Sequence, residues 1–431
     1  MSKNVNKTSM QELCEITSSK RVYAADYQYE GVPFYRGKEI IEKHRGNLDI
    51  STELFISENK FKEFKKKFGA PQPGDLLLTS VGTLGVPYVV KSGEVFYFKD
   101  GNLTWFRQFR NLDSHFLYYW ILSPQGKAEL KKCTIGSSQS AFTIVLLKDM
   151  EIELPPLPTQ QKISSILAAY DDLIENNNRR IKILEEMAQA IYKEWFVNFR
   201  FPGYEKVKMV KSELGMISEG WEVKEMQEVA NVIDCLHSKK PKEIENGNKF
   251  LLQLFNISEG GKLALSKKYY ISDEDYELWT RRIEASEGDC VITNVGRIAA
   301  VAQIPQGIKA ALGRNMTAVR ANKKFITPSF LIQYLLSPHM ESEVLKKTDR
   351  GTIMDSLNVK NIVKLSINIP TSEIMEKFDN AEKPIRRRIE LLVNQNMILR
   401  KTRDLLLPKL ISGEIDVEGL EIEINGTGGD I

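Results

Sequence analysis

A large part of this chain is written twice. Gly74-Asp75-Leu76-Leu77-Leu78-Thr79-Ser80-Val81-Gly82 returns as Gly288-Asp289-Cys290-Val291-Ile292-Thr293-Asn294-Val295-Gly296, an offset of 214 positions (288 − 74). Leu117 and Ser123-Pro124 return at the same offset as Leu331 and Ser337-Pro338. Asn102-Leu103-Thr104 with Arg107 returns as Asn315-Met316-Thr317 with Arg320, an offset of 213 (315 − 102). A period this long excludes solenoids and propellers, whose repeats run about 20–50 residues. The chain is a tandem duplication of a large unit. Two similar halves imply a partner that also has two similar halves.

Each copy opens with a mixed part and continues into a helix. In the first copy, strand-like runs bounded by turn residues fall at 32–35, 75–79, 86–90 and 95–98, with helices at 114–121 and 124–132. In the second, strands are expected at 250–255, 290–293 and 298–304, and a helix at 329–336. Strands and helices without βαβ regularity predict an α+β fold. From Thr159, an expected N-cap, apolar residues then recur at heptad spacing. Ile163, Tyr170, Asn177, Leu184 and Ile191 form one column, and Leu167, Ile174, Ile181, Ala188 and Trp195 another. Ile166, Leu173 and Met187 form a third, adjacent column, broken by Arg180. The second copy repeats the pattern with Phe378, Ile385, Leu392, Leu399 and Leu406, flanked by Leu391, Ile398 and Leu405. Phe201-Pro202-Gly203 and Pro408 are expected to end the two helices, and Pro384 to kink or restart the second.

A helix of roughly 35 residues spans about 50 Å, longer than a domain of this size needs. The stripes are either ordinary core or the seam of two long antiparallel helices. Asn177 in that seam either fixes register or is solvated. The expected architecture is two similar domains separated by two long antiparallel coiled-coil helices, with pseudo-two-fold symmetry. The segments are 1–156 (first mixed domain), 157–200 (first helix), 201–220 (linker), 221–370 (second mixed domain), 371–413 (second helix) and 414–431 (tail, frayed over 425–430).

Net charge is only +3, but its distribution follows the repeat. Residues 1–150 carry 21 basic and 16 acidic side chains, and residues 151–205 carry 6 and 9. Residues 206–370 carry 24 and 20, and residues 371–431 carry 9 and 12. Two mixed parts with a positive balance suit a polyanion, and two acidic helical parts suit another partner. No apolar run approaches the roughly 18–20 residues that span a bilayer, and no membrane partner is expected. Cys14, Cys133, Cys235 and Cys290 show no ligand-like spacing, and the four His form no HxxxH or HExxH. The cysteines read as buried or idle thiols of a cytoplasmic protein, and no metal site is expected.

Catalytic motifs are missing. There is no GxxxxGK[ST], GxGxxG or GxSxG, and Pro155-Pro156 sits in Leu-Pro-Pro-Leu-Pro rather than in an Asp/Asn-Pro-Pro-aromatic string. Glu151, Glu153 and Lys148 superficially resemble a nuclease set but read better as the polar face of a strand. A binding subunit, with no catalytic, cofactor or metal residue of its own, is the leading reading.

Double-stranded DNA is the polyanion these parts suit. Lys62, Lys65 and Lys66 lie on a basic stretch interleaved with Phe61, Phe64 and Phe68, either a solvated helix face or a phosphate contact. The turns carrying Thr79, Ser80 and Thr83, and Thr293, Asn294 and Arg297, hold hydrogen-bonding side chains beside a glycine. They are either reading loops or turns repeated because the fold repeats. Arg314, and the polar loops with Ser138, Gln139 and Thr352, complete the candidate DNA-binding set.

Several phrases then carry a family resemblance. They are Leu154-Pro155-Pro156-Leu157-Pro158-Thr159-Gln160-Gln161-Lys162-Ile163 before the first helix, Trp195-Phe196 at its end, and Ser212-Glu213-Leu214-Gly215-Met216-Ile217-Ser218-Glu219-Gly220-Trp221 before the second mixed part. The C-terminal counterpart is Leu407-Pro408-Lys409-Leu410-Ile411-Ser412-Gly413-Glu414-Ile415. Over essentially its whole length the chain resembles the specificity subunit of type I restriction–modification enzymes. It departs from the pattern at Met216-Ile217-Ser218, which lacks a Pro, and at Thr371-Ser372-Glu373, which replaces a Gln-rich opening.

The resemblance implies that each mixed part is a target recognition domain reading one half of a split DNA sequence, and that the helices set the spacing. It implies two modification subunits docked on this chain and two restriction (motor-nuclease) subunits that can join. S-adenosylmethionine, ATP and Mg would then be used by those partners. Two other readings stay open: a single-chain DNA methyltransferase or nuclease with degenerate motifs, and a two-domain protein-binding scaffold. Since Ser80 faces Asn294 and Thr83 faces Arg297 across the repeat, the target is expected to be asymmetric.

Overall fold

The computed structural model describes residues 7–46, 50, 52–136, 140–349 and 355–422. The chain divides into two compact units, Met1–Arg179 with Ile398–Ile431, and Arg180–Met397. The division falls inside both long helices, so each unit holds one mixed domain and part of each helix.

The first unit is built on an antiparallel sheet in the order Glu15–Thr17, Leu103–Arg107, Leu76–Thr79, Pro87–Val89. The second unit has its counterpart in the order Ala230–Asp234, Met316–Ala321, Cys290–Thr293, Val301–Gln303. The central strand is buried on both faces, and alternation sorts its side chains. Leu76 and Leu78 pack with Phe106 and Phe116, whereas Leu77 packs with Phe98 and Trp105. In the second unit Cys290 and Ile292 pack with Phe330, and Val291 packs with Leu252. The first unit adds a second four-stranded sheet in which Val32–Tyr35 and Tyr97–Phe98 run parallel. The fold is α+β.

The duplicated Gly-Asp pair builds the turn before the central strand. Gly74 and Gly288 have φ of 88° and 86°, a region open to glycine. Asp75 accepts from the Trp105 indole at 2.8 Å and the Gln72 amide at 2.9 Å. Asp289 accepts from the Ser286 amide at 2.8 Å and from Arg320 Nε and Nη2 at 2.7 and 2.6 Å. Ser-Pro is duplicated for a similar reason. Ser123 Oγ accepts from the Gly126 amide, capping Pro124–Lys132, and Ser337 Oγ accepts from the Met340 amide, capping Pro338–Lys347.

The long helices are Leu157–Tyr192, extended by a π-helical turn at Lys193–Val197, and Ser372–Ile411. In the first unit Ile163 and Leu167 share a core with Leu407 and Leu410, and Asp171 pairs with Arg403. In the second unit Ile181 packs with Ile389 and Leu392, while Tyr192 and Phe196 meet Phe378. Numbers rise along one helix as they fall along the other, so the helices run antiparallel within each unit.

Several local expectations are corrected. Thr159 does not cap the first helix: the helix begins at Leu157, and the Thr159 and Gln160 amides both donate to Pro156 O. Phe201-Pro202-Gly203 is not its stop either, because Phe199 takes a φ of 56° just after the π turn. Pro384 does not interrupt the second helix, which runs through it from Ser372 to Ile411 with Pro384 on its exposed side. Pro408 lies inside the same helix, which ends three residues later (411 − 408). The 250–255 strand shortens to Phe250–Leu251, because Asn256 Oδ1 accepts the Gln253 amide at 2.9 Å and curls the chain into a 3-10 turn at Leu254–Asn256. The 201–220 linker contains an antiparallel hairpin, Met209–Ser212 with Gly215–Ser218. Residues 425–430 lie outside the described residues, but Val417 is buried in the first unit's core.

The heptad columns divide as well. Ile163, Asn177, Phe378 and Leu392 are buried, and Tyr170, Leu184, Ile191, Ile385, Leu399 and Leu406 are half-buried. Asn177 is therefore not solvated. The third column, at the side of the seam, faces outward instead: Leu173 and Met187 are 51% and 47% exposed. Leu391, Ile398 and Leu405 are likewise 48%, 63% and 59% exposed.

Candidate nucleic-acid interface

The structure separates the sequence candidates into inside and outside. Thr79, Ser80, Thr293 and Asn294 are buried. Thr79 Oγ1 accepts from the Val86 amide at 2.9 Å, and Thr293 Oγ1 accepts from the Ala300 amide at 3.0 Å, so both hold their hairpins closed. Ser80 Oγ bonds Thr104 Oγ1 at 2.7 Å, and Asn294 Nδ2 donates to Thr317 Oγ1 at 2.9 Å and to Leu357 O at 2.8 Å. These four side chains spend their hydrogen bonds on the fold and are removed from the base-contacting set. The Ser80-to-Asn294 difference is a repacking of the same buried junction.

What remains outside is the tip of each hairpin. Thr83 is exposed, as are Arg297 and Arg314. Arg297 is braced, with Nη1 donating to Ile257 O at 3.1 Å. On the helix Glu58–Phe68, Lys62 pairs with Glu58 at 3.2 Å, whereas Lys65 and Lys66 are exposed without an ion pair among the described residues. Ser138, Gln139 and Thr352 lie outside the described residues.

Two surface cavities open beside the first hairpin tip. One, of about 580 Å³, is lined by Arg36, Lys38, Arg45, Val81, Thr83 and Asn102. The other, of about 380 Å³, is lined by Arg21, Tyr23, Lys99, Gly101 and Asn102 among others. Their cations meet carboxylates: Arg36 and Lys38 reach Glu53 at 3.3 and 3.6 Å, Arg45 reaches Glu42 at 3.4 Å, and Arg21 reaches Asp100 at 2.9 Å. The Glu39 and Glu53 carboxylates raise the Arg36 pKa above its ordinary value. Arg36 is also held by the buried Glu39 at 2.8 Å, whereas the exposed pairs of Lys38, Arg45 and Arg21 are worth little and exchange readily for phosphate. Arg36, Lys38 and Arg45 lie on or cap the one helix Gly37–His44, and sequence reasoning missed them with Arg21 because nothing in their spacing places that helix beside the hairpin tip. Asn102 had a signal, its echo in Asn315.

In the second unit, basic side chains lie over aromatic rings, Lys240 over Tyr269 at 3.8 Å and Lys267 over the half-exposed Phe255 at 5.3 Å. In the same unit Asp234, Cys235 and His237 converge, a grouping with metal-binding residue types that their sequence spacing did not suggest. His237 and Asp234 hydrogen-bond each other at 2.8 Å, and burial pushes the Cys235 thiol pKa up. Among the described residues no helix is long and apolar enough to cross a membrane.

A family model for the type I restriction modification DNA specificity domain matches residues 2–186 and 218–400. The MjaIX specificity subunit of a type I restriction enzyme from Methanocaldococcus jannaschii is 28% identical over 397 residues, covering 89% of this chain and 85% of that protein. The MjaVIII specificity subunit of the same organism is 27% identical over 386 residues, covering 86% of each. Among solved structures, the S subunit of a type I restriction–modification system from M. genitalium superposes with a TM-score of 0.56 at 14% identity, covering 94% of this chain and 96% of that one. At that identity the likeness is one of fold.

Proposed function

Since this chain belongs to the type I restriction–modification DNA specificity family, we propose that its two mixed domains read the two halves of a split, asymmetric DNA target. The observation that carries the reading is a matched scaffold with unmatched tips. The two sheets share strand order, and both hairpins close through a buried Thr. The exposed tips differ, Thr83 in one and Arg297 in the other. Direct readout needs such a rigid platform with variable exposed side chains.

The helices of 36 and 40 residues serve as the ruler between half-sites. At about 1.5 Å per residue, 36 residues reach roughly 54 Å, about one and a half turns of DNA. The chain does no chemistry in this reading. Two modification subunits using S-adenosylmethionine dock on it, and two ATP- and Mg-dependent restriction subunits can join. The outward apolar columns suit such docking: Leu173, Ile398 and Leu405 in the first unit, Met187 and Leu391 in the second. Rows of exposed large apolar side chains mark protein contacts.

Selection of duplexes from a random-sequence pool tests the reading. The full chain is expected to enrich two short half-sites at a fixed spacing, with affinity falling steeply as salt rises. Arg297→Ala is expected to relax one base position in one half-site only, by roughly 5–100-fold in preference. Equal weakening on every sequence would make Arg297 a phosphate contact. No salt-dependent duplex binding at all would favour a protein scaffold.

A further inference from the structure

Asn102 occupies an unusual place. It lines both cavities of the first recognition domain, the only residue common to the two. Its backbone carbonyl is fixed by the Ser80 amide at 2.8 Å, at the root of the hairpin tip. The second unit repeats the anchor, with Asn315 O accepting the Asn294 amide at 2.9 Å. The duplication has therefore kept an Asn at the start of the same strand in both domains. Its side chain does not explain that. Among the described residues neither the Asn102 nor the Asn315 side-chain amide has a hydrogen-bond partner, whereas Ser80, Asn294, Thr104 and Thr317 around them are paired. Turn shape accounts for the Asn in one domain only, because Asn tolerates the left-handed region that Asn315 occupies and Asn102 does not. The left-handed residue is Gly101 in the first domain, at φ 73°, and Asn315 in the second, at φ 64°.

The geometry points to Asn102 and Asn315 as base-reading residues, one per half-site, each taking an adenine edge in the major groove. The inference rests on the DNA-reading role proposed above and narrows it to one side chain per domain. A primary amide offers a donor and an acceptor side by side. Adenine presents the complementary acceptor and donor at N7 and N6, and Asn or Gln is the side chain that matches both. The neighbours suit the task. Arg36, Lys38 and Arg45 flank Asn102 in one cavity and Arg21 and Lys99 in the other, where they can hold phosphates on either side of the base that is read. Anchoring through the backbone leaves the amide presented from a fixed point. The different turn conformations at the two sites place the two amides differently, so the two adenines need not occupy equivalent positions in their half-sites.

The test is duplex selection with the full chain and three variants, with circular dichroism and thermal unfolding run on each. Asn102→Ala is expected to cost roughly tenfold or more in preference at one adenine of one half-site and to leave the other half-site unchanged. Asn315→Ala is expected to do the same in the other half. Asn102→Asp, which can only accept, is expected to move the preference at that position from adenine toward cytosine, whose N4 donates. A merely structural residue would not produce that switch. Unchanged selection by both Ala variants, or loss of affinity spread evenly over all sequences, overturns the inference while leaving the DNA-reading role intact. Failure of the unsubstituted chain to select any duplex overturns both.

Discussion

Replacing Phe378 by Ala is expected to cost about 3–5 kcal/mol of the second unit's stability. Phe378 is fully buried on the second long helix. Its ring centroid lies 4.9 Å from that of Phe196, 5.9 Å from Trp195, 6.1 Å from Tyr192 and 6.3 Å from Phe330. Three of these rings belong to the end of the first long helix, and Phe330 belongs to the recognition-domain helix Pro328–Leu335. Truncation therefore opens a cavity where three elements meet, and rigid aromatic neighbours fill such a space poorly. Urea unfolding of the full chain reads the effect. With two compact units, the transition assigned to the second is expected to move while the first stays. Phe378→Leu, which keeps most of the volume, is expected to cost much less. A loss below about 1 kcal/mol for Phe378→Ala would contradict the account of this junction.

Gly313→Ala is expected to be comparably damaging by the opposite route. A Cβ on Gly313 would lie 1.9 Å from the Leu252 carbonyl oxygen, far inside contact distance. The obstacle is backbone, and it cannot retreat easily: Leu252 is fully buried, and its amide donates to Ala311 O at 2.9 Å. The strain falls next to Arg314 and Asn315, on the recognition turn. About 3 kcal/mol or more is expected, at the upper end for overpacking. Thermal unfolding together with duplex selection checks it, the variant retaining the first half-site and losing the second. Full stability with unaltered selection would show that the turn does not hold the position described.

The duplication made much of this legible. Pro124–Lys132 and Cys290–Thr293 fall where the sequence placed them, because a Ser-Pro cap and a Gly-Asp turn are local signals that fix one end of an element. Antiparallel pairing of the long helices followed from two helices of similar length in a duplicated chain. Which columns form the seam did not: Leu173, Met187, Ile398 and Leu405 are as apolar as the seam residues, and periodicity alone does not say whether a column meets its own chain or another. The candidate site was harder. Thr79, Ser80, Thr293 and Asn294 are polar residues at a turn, and such residues look alike in sequence whether they close a buried junction or face a ligand. Thr79 and Thr293 close their own hairpins seven positions on, whereas Ser80 and Asn294 depend on Thr104, Thr317 and Leu357, which lie 23 to 63 positions away in sequence. Arg36, Lys38 and Arg45 escaped notice because only the folded sheet brings them beside Thr83.

The most direct test of the central claim is sequencing of DNA methylation in a host that carries this chain with its modification subunit. The account predicts one modified motif made of two different half-sites separated by a spacer of constant length. A single uninterrupted motif, or two identical half-sites in palindromic arrangement, would contradict it.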